Sequence, residues 1–348
     1  MPKKTTRSRL STRILLWSFV PTTIILLAVA ITIFYAYQRV TEDLVVGRNQ
    51  QLTRLSAGQL SSDLDEYVST LELITRAPFL YSGHPVLQTS VLQQYANALL
   101  IFEGGVLVLS PDGEVTVSEP EIPGLVGQNW SDRPFFRQII HNANATGEPV
   151  FSNVIALGPV DQNAVAVAVP ILNDRQEFRG ALVGLFRLGS TSYSAFYGGI
   201  VKLRLSETGN LFLVDASGKV IFHPNESLIG SDVHLQPDVE MVMKRQTGFL
   251  RTSDSSGQEI LATYASVPGT PWGLVNEENW NDLLASSRGY GQFLVLLIGL
   301  GIVIPVLVVW MGVRRITGPV AQLIEGAAEI TGGKYGQQIT VQTGDELE

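Results

Sequence analysis

Apolar and polar positions divide this chain into distinct regimes. Residues 14–35 and 293–313 are apolar on every side and hold no Asp, Glu, Lys, Arg or His. Each run is about 20 residues long, which at the helical rise of ~1.5 Å spans a hydrocarbon core ~30 Å thick. The pattern predicts transmembrane helices over 14–35 and 291–313. Pro21 and Pro305 are tolerated inside such helices. Trp17, Tyr35, Tyr37, Tyr290 and Trp310 lie near the span ends, where amphipathic rings favour the headgroup layer. The first run is longer than the core of a cleaved signal peptide, and no convincing small-residue cleavage site follows it.

Beyond the first span the chain stays free of proline until Pro78 and reads as one long helix over 38–77. Leu60, Leu64, Tyr67, Leu71 and Ile74 recur at spacings of 4, 3, 4 and 3, a heptad-like stripe. Such a stripe suits a helix packed on its own domain and equally a dimer seam.

An internal repeat follows. Gly105-Val-Leu-Val-Leu-Ser-Pro-Asp-Gly113-Glu-Val-Thr-Val117 parallels Asn210-Leu-Phe-Leu-Val-Asp-Ala-Ser-Gly218-Lys-Val-Ile-Phe222. Each reads as a strand, a turn carrying Asp and Gly, and a second strand. Gly127 and Gly230 are each followed seven residues on by a proline, Pro134 and Pro237. A helix is expected after each, running to near Gly147 and Gly248. Further strands are predicted over 164–171 and 181–188 in the first copy, and over 259–267 and 272–277 in the second. Short connections favour meandering antiparallel sheets with helices on one face, an α+β fold of two PAS-like modules. The distal module is placed at 78–200 and the proximal one at 201–285.

Charge sets the orientation. Lys3, Lys4, Arg7, Arg9 and Arg13 precede the first span with no acid among them, and Arg314 and Arg315 follow the second. Both ends, 1–13 and 314–348, therefore read as cytoplasmic, and 36–290 as extracytoplasmic. The segment between the spans holds 27 acids and 16 Lys/Arg, a balance that argues against nucleic acid or anionic lipid as partner. Cysteine is absent, so no disulfide holds the outer domain.

Past the second span, Ile316, Val320, Leu323, Ala327 and Ile330 fall at coiled-coil spacing. Gly332-Gly333 breaks that helix, Ile339 and Val341 alternate through an extended connector, and Asp345-Glu346-Leu347 suits a new helix start. The chain stops at Glu348 as that helix begins, and reads as a piece of a longer receptor.

The two copies differ in chemistry. The offset that superposes Gly127 on Gly230 pairs Trp130 with Val233, Arg133 with Gln236, Phe135 with Asp238 and Phe136 with Val239. Only the first copy sets an arginine among aromatics. Its guanidinium offers bidentate donors to a carboxylate or phosphate, and aromatic walls stack on it. An ion pair from Arg133 to Asp132 or Glu148 is the structural alternative. Ser131 or Asp132 is expected to cap the helix, and Asp112 and Asp215 to serve the hairpin turns. The four histidines, His84, His141, His223 and His234, lack metal-ligand spacing. No nucleophile elbow, phosphate loop or HExxH motif appears, so neither a cofactor nor catalysis is expected.

A long helix followed by two PAS-like modules between two spans resembles the double Cache sensor domain of bacterial receptors. The carriers are Phe212 to Pro224, Leu228-Ile-Gly230, Val267-Pro-Gly-Thr-Pro-Trp-Gly273 and Asn129-Trp-Ser-Asp-Arg-Pro-Phe-Phe136. Arg314-Arg315, Pro319 and Gly344-Asp-Glu-Leu347 resemble a HAMP linker, incomplete over 314–348. These resemblances imply a receptor that binds a small carboxylate or amino-acid-like molecule outside and relays through a homodimer to a cytoplasmic output. A histidine kinase is the expected output, with a chemotaxis receptor or diguanylate cyclase as alternatives. They also imply a distal pocket lined by Trp130, Arg133, Phe135 and Phe136, with Asn153 and Asp161 as further ligand groups. Gln128 stands where amino-acid-binding members tend to carry tyrosine, so a plain carboxylate fits as well. A surface scaffold binding a protein partner, with no small ligand, is the reading from another class.

Overall fold

The computed structural model describes residues 10–157, 162–189, 195–203, 209–254 and 256–331. Asp161, the basic residues Lys3 to Arg9, and the connector and helix start expected over 332–348 lie outside the described residues.

The helices are α1 (Leu10–Thr75), α2 (Pro85–Gln94), α3 (Ala96–Leu99), α4 (Pro134–Ala143), α5 (Ala195–Lys202), α6 (Pro237–Met243) and α7 (Trp280–Thr331). The strands of the first module are β1 (Val106–Leu109), β2 (Val115–Glu119), β3 (Val150–Phe151), β4 (Ile155–Ala156), β5 (Asn163–Leu172) and β6 (Phe178–Arg187). Those of the second are β7 (Asn210–Val214), β8 (Val220–Phe222), β9 (Gly248–Ser253), β10 (Glu259–Ser266) and β11 (Gly273–Asn279). Both sheets are antiparallel throughout. The first has the order β2-β1-β6-β5-β3 with β4 also on β5, and the second has β8-β7-β11-β10-β9. The shared order makes them copies of one plan, in an α+β fold.

The segment Leu44–Leu283 is one compact unit. β5 and β6 are buried on both faces, which is why they read as unbroken apolar runs. Alternate residues serve two cores. Val106, Val108, Val165, Val167, Leu182 and Phe186 face one cluster, while Leu107, Leu109, Ala164, Ala166, Val183 and Leu185 face another. The first cluster continues into the second module through Leu211, Leu213, Ile221, Phe222 and Leu274. It also takes in Ala57, Leu60, Leu64, Leu71 and Ile74 of α1. The heptad-like stripe is thus core: Leu64 is 1% exposed and Leu71 and Ile74 are fully buried. The opposite faces close against α4 in the first module and α6 in the second.

Nearer its start, α1 changes chemistry. Thr53 Oγ1 meets Thr263 Oγ1 of β10 at 2.7 Å, and Asn49 and Ser56 are buried close by in sequence. On β11, Asn276 and Glu278 are buried, joined by a 3.0 Å hydrogen bond from Asn276 Nδ2.

The second unit comprises the described parts of the segments outside Leu44–Leu283. Val295–Gly312 of α7 and the apolar stretch of α1 from Thr23 are long and apolar enough to cross a membrane. Ile24, Ile25, Leu296 and Leu297 are exposed, as suits a helix apolar on all sides. α7 is a single helix through Arg314 and Arg315, with no break before the coiled-coil spacing.

Candidate functional site

The repeat places two equivalent frames. Gly113 and Gly218 have φ of 84° and 83°, and a Cβ on either would lie 2.6 Å from Ser131 N or His234 Cβ. Only glycine lets the hairpin turn press against the segment that enters the helix. Trp130 N then donates to Gly113 O, and Val233 N to Gly218 O. Arg133 and Gln236 are the residues preceding α4 and α6, with Pro134 and Pro237 at the first helical position. Proline there lacks an N–H that the helix could not use.

The cap differs from the expectation. Arg133 itself is the N-cap, in extended conformation and without a side-chain cap bond. Ser131 and Asp132 fall too early because Arg133 N closes a turn onto Trp130 O at 3.0 Å. α4 and α6 also stop short of Gly147 and Gly248. Asn142 O turns to accept from the N–H groups of Ala145, Thr146 and Gly147, and Gly248 already belongs to β9.

In the distal module the guanidinium of Arg133 lies 4.0 Å from the centroid of the Trp130 ring. One of its five N–H groups donates to Ala156 O of β4 at 3.0 Å. Burial pushes its pKa down, because half-burial disfavours the charged form. The indole is held by Phe135, edge-on at 6.0 Å, and by a 3.3 Å bond from its Nε1 to Gln128 Oε1. Trp130, Phe135 and Phe136 are 1%, 3% and 1% exposed, so all three are core side chains. Phe136 packs edge-on against Phe178. Among the described residues Arg133 forms no ion pair with Asp132 or Glu148. Arg133, Trp130 and Phe135 therefore form one group: a partly exposed cation on a buried aromatic floor.

Asn153 belongs to a different place. Its Oδ1 accepts from Ala216 N at 3.3 Å, at the seam with the second module. Beside it Asp215 Oδ2 accepts from Val154 N at 2.9 Å, and Trp272 Nε1 donates to Ser152 O at 2.8 Å. Asp215 Oδ1 also holds its own turn through Ser217 N, Ser217 Oγ and Lys219 N. The matching position in the first hairpin is Ser110, whose Oγ accepts from Glu114 N, rather than Asp112. Asp161 lies outside the described residues.

The proximal module contains a feature absent from the expected site, a cavity of about 570 Å³ lined among others by Phe212, His223, Asp238, Asp254, Glu277 and Asp282. Asp238 occupies the position of Phe135. By register, Glu277 occupies that of Leu185, since Leu211 pairs with Asn276 as Val106 pairs with Gly184. Two apolar residues of the distal core are thus carboxyls here. Asp238 is 1% exposed, and its Oδ2 receives no donor. Burial pushes the Asp238 carboxyl up. Burial, reinforced by the neighbouring Asp238 charge, pushes Glu277 up to about 7. His223 goes the other way: burial lowers its pKa, and its Nδ1 accepts from Asn225 N at 2.8 Å. The signal available in sequence is an acid in register with Phe135.

Solved structures share the fold. An extracellular ligand-binding receptor from Desulfohalobium retbaense DSM5692 is 14% identical over 66% of this chain, with a TM-score of 0.50. The chain covers 39% of that protein's length. The ligand-binding domain of the Pseudomonas fluorescens chemoreceptor CtaA, in complex with L-isoleucine, is 14% identical over 72% of this chain and 99% of that domain, TM-score 0.54. That of the Pseudomonas aeruginosa PAO1 amino acid chemoreceptor PctB, in complex with L-Arg, is 16% identical over 69% and 97%, TM-score 0.51. No curated protein sequence matches the chain. The three solved structures are of ligand-binding receptors or their ligand-binding domains. The family model for the Cache domain matches residues 38–287, most of the sequence, and on that match the chain belongs to the Cache domain family.

Proposed function

We propose that this chain is the sensing and membrane-spanning part of a receptor for a small extracytoplasmic molecule. The observation that carries the reading is the Cache domain over residues 38–287, bracketed by two helices apolar enough to cross a membrane. In this reading 36–290 faces outward and 14–35 and 291–313 cross the bilayer, with both ends cytoplasmic. A HAMP relay over 314–348 joins a homodimer to a histidine kinase output. Chemoreceptor output shares the same front end, and the amino acid complexes of the CtaA and PctB domains add support for a small ligand.

The distal ligand group is Arg133 on its Trp130 floor, with Phe135 and Phe136 behind it. A carboxylate is the natural partner of a half-buried guanidinium. Binding shifts a receptor only as far as the ligand prefers one state over the other.

The test is thermal unfolding of the full chain in lipid nanodiscs against amino acids and organic acids. Ligand at 100-fold its Kd adds about 2.7 kcal/mol, a shift of roughly 5–10 °C for a domain of this size. The expected result is a shift from one carboxylate class that Arg133→Ala abolishes. A flat response from folded protein refutes the reading and favours a protein-binding scaffold.

A further inference from the structure

The proximal cavity combines observations that the distal ligand reading does not use. Its volume, about 570 Å³, falls within the range of sites for small organic molecules. Among the described residues four acids line it, Asp238, Asp254, Glu277 and Asp282, and neither Lys nor Arg does. His223, the remaining titratable group on the wall, brings no compensating charge, because its Nδ1 is an acceptor. Asp238 is 1% exposed and lines the space; its Oδ2 receives no N–H or hydroxyl donor, and its side chain is hydrogen-bonded to the neighbouring Glu277 carboxyl. Native proteins leave few buried oxygens in that condition, and those that remain call for a partner.

The register strengthens the point. The distal copy fills the equivalent space with Phe135 and Leu185, both core residues. Carboxyls at both positions of the proximal copy cost stability through desolvation, and packing alone gives no reason to retain them. What they do provide is a pair of acceptors facing one space.

The chemistry of the occupant follows. An anion would meet four acids and, among the described residues, no Lys or Arg. A bare divalent cation takes six or more oxygen ligands, and the described residues contain no group of three or more acids or histidines placed to hold a metal. A primary ammonium has three N–H donors, enough to serve Asp238 Oδ2 and the Glu277 carboxyl together. The rings of Phe212 and His223, 5.6 Å apart, supply an apolar wall for an attached carbon chain. We propose that the proximal module holds a second ligand site, selective for a small organic cation whose primary ammonium sits between Asp238 and Glu277.

Three probes of one length and opposite charge test this: 1,4-diaminobutane, 1,4-butanediol and succinate. Each is titrated calorimetrically into the full chain in nanodiscs of neutral lipid, at fixed ionic strength in phosphate buffer. The expected result is saturable binding of the diamine alone, at one per chain. Asp238→Asn, which keeps the side-chain shape, should weaken it by about tenfold or more, as expected when a buried charge pair loses one partner. Glu277→Gln should do the same and carries the test if the first variant fails to fold. Absence of diamine binding at millimolar concentration overturns the proposal. So does diamine binding that neither variant weakens, or succinate binding that either variant weakens.

Discussion

Replacing Glu277 by glutamine should stabilise the receptor, and only at neutral to alkaline pH. Glu277 lies on β11 and faces Asp238 at the start of α6, with His223 after β8, Asp254 after β9 and Asp282 in α7 around the same cavity. Its carboxyl is raised from 4.5 to about 7. The folded chain therefore holds a proton that the unfolded chain has released between those two values. Stability must fall as pH rises from about 4.5 to 7 and level off above. At 1.36 kcal/mol per unit the full shift corresponds to about 3 kcal/mol, an upper bound because the cavity admits water. Glutamine keeps the volume, cannot ionise, and its amide can donate to Asp238 Oδ2. The assay is thermal unfolding followed by tryptophan fluorescence, in amine-free phosphate buffer at about pH 5 and about pH 8. Glu277→Gln should match the wild type at the lower pH and exceed it by up to ~10 °C at the higher. An equal difference at both pH values would show that the carboxyl is not desolvated and would sink the reasoning.

Asp215→Ala removes a buried acceptor of four hydrogen bonds, one of them from Val154 in the other module. It should cost about 3–5 kcal/mol, read as a lowered denaturation midpoint, while Asp215→Asn should cost less. Gly184→Ala would place a Cβ 2.4 Å from the ring of Phe102, itself packed on Phe186 and Tyr67. It should destabilise by about 1–3 kcal/mol in the same assay.

Much of the architecture is legible in the residues. The Asp/Gly turns, the prolines opening α4 and α6 and the apolar runs of β5 and β6 are local signals, and each stands close to where its pattern puts it. The stripe from Leu60 to Ile74 has the correct spacing, yet period alone leaves its partner open, and only the assembled sheets show that it faces its own core. The helix cap is missed by one or two residues, because the Trp130–Arg133 turn depends on where Gly113 delivers the chain. The proximal acids are legible only by halves. Asp238 stands opposite Phe135 in the repeat, but the role of Glu277 needs strand register. Alternation along Val275-Asn276-Glu277-Glu278 does not say which face meets the helix.

The apolar cluster running from α1 through both sheets makes the two modules poor building blocks on their own. Phe196, Tyr197, Phe222 and Trp272 stack in a chain of ring contacts at 5.4–5.9 Å that also takes in Phe151 of the first sheet. A chimera that exchanges one module for that of another receptor would cut through this stack and expose it. Exchange should succeed only when the α1 stripe and these rings travel with the grafted piece. The inheritable unit of this sensor is then the helix with both sheets, even though its sequence repeats as two.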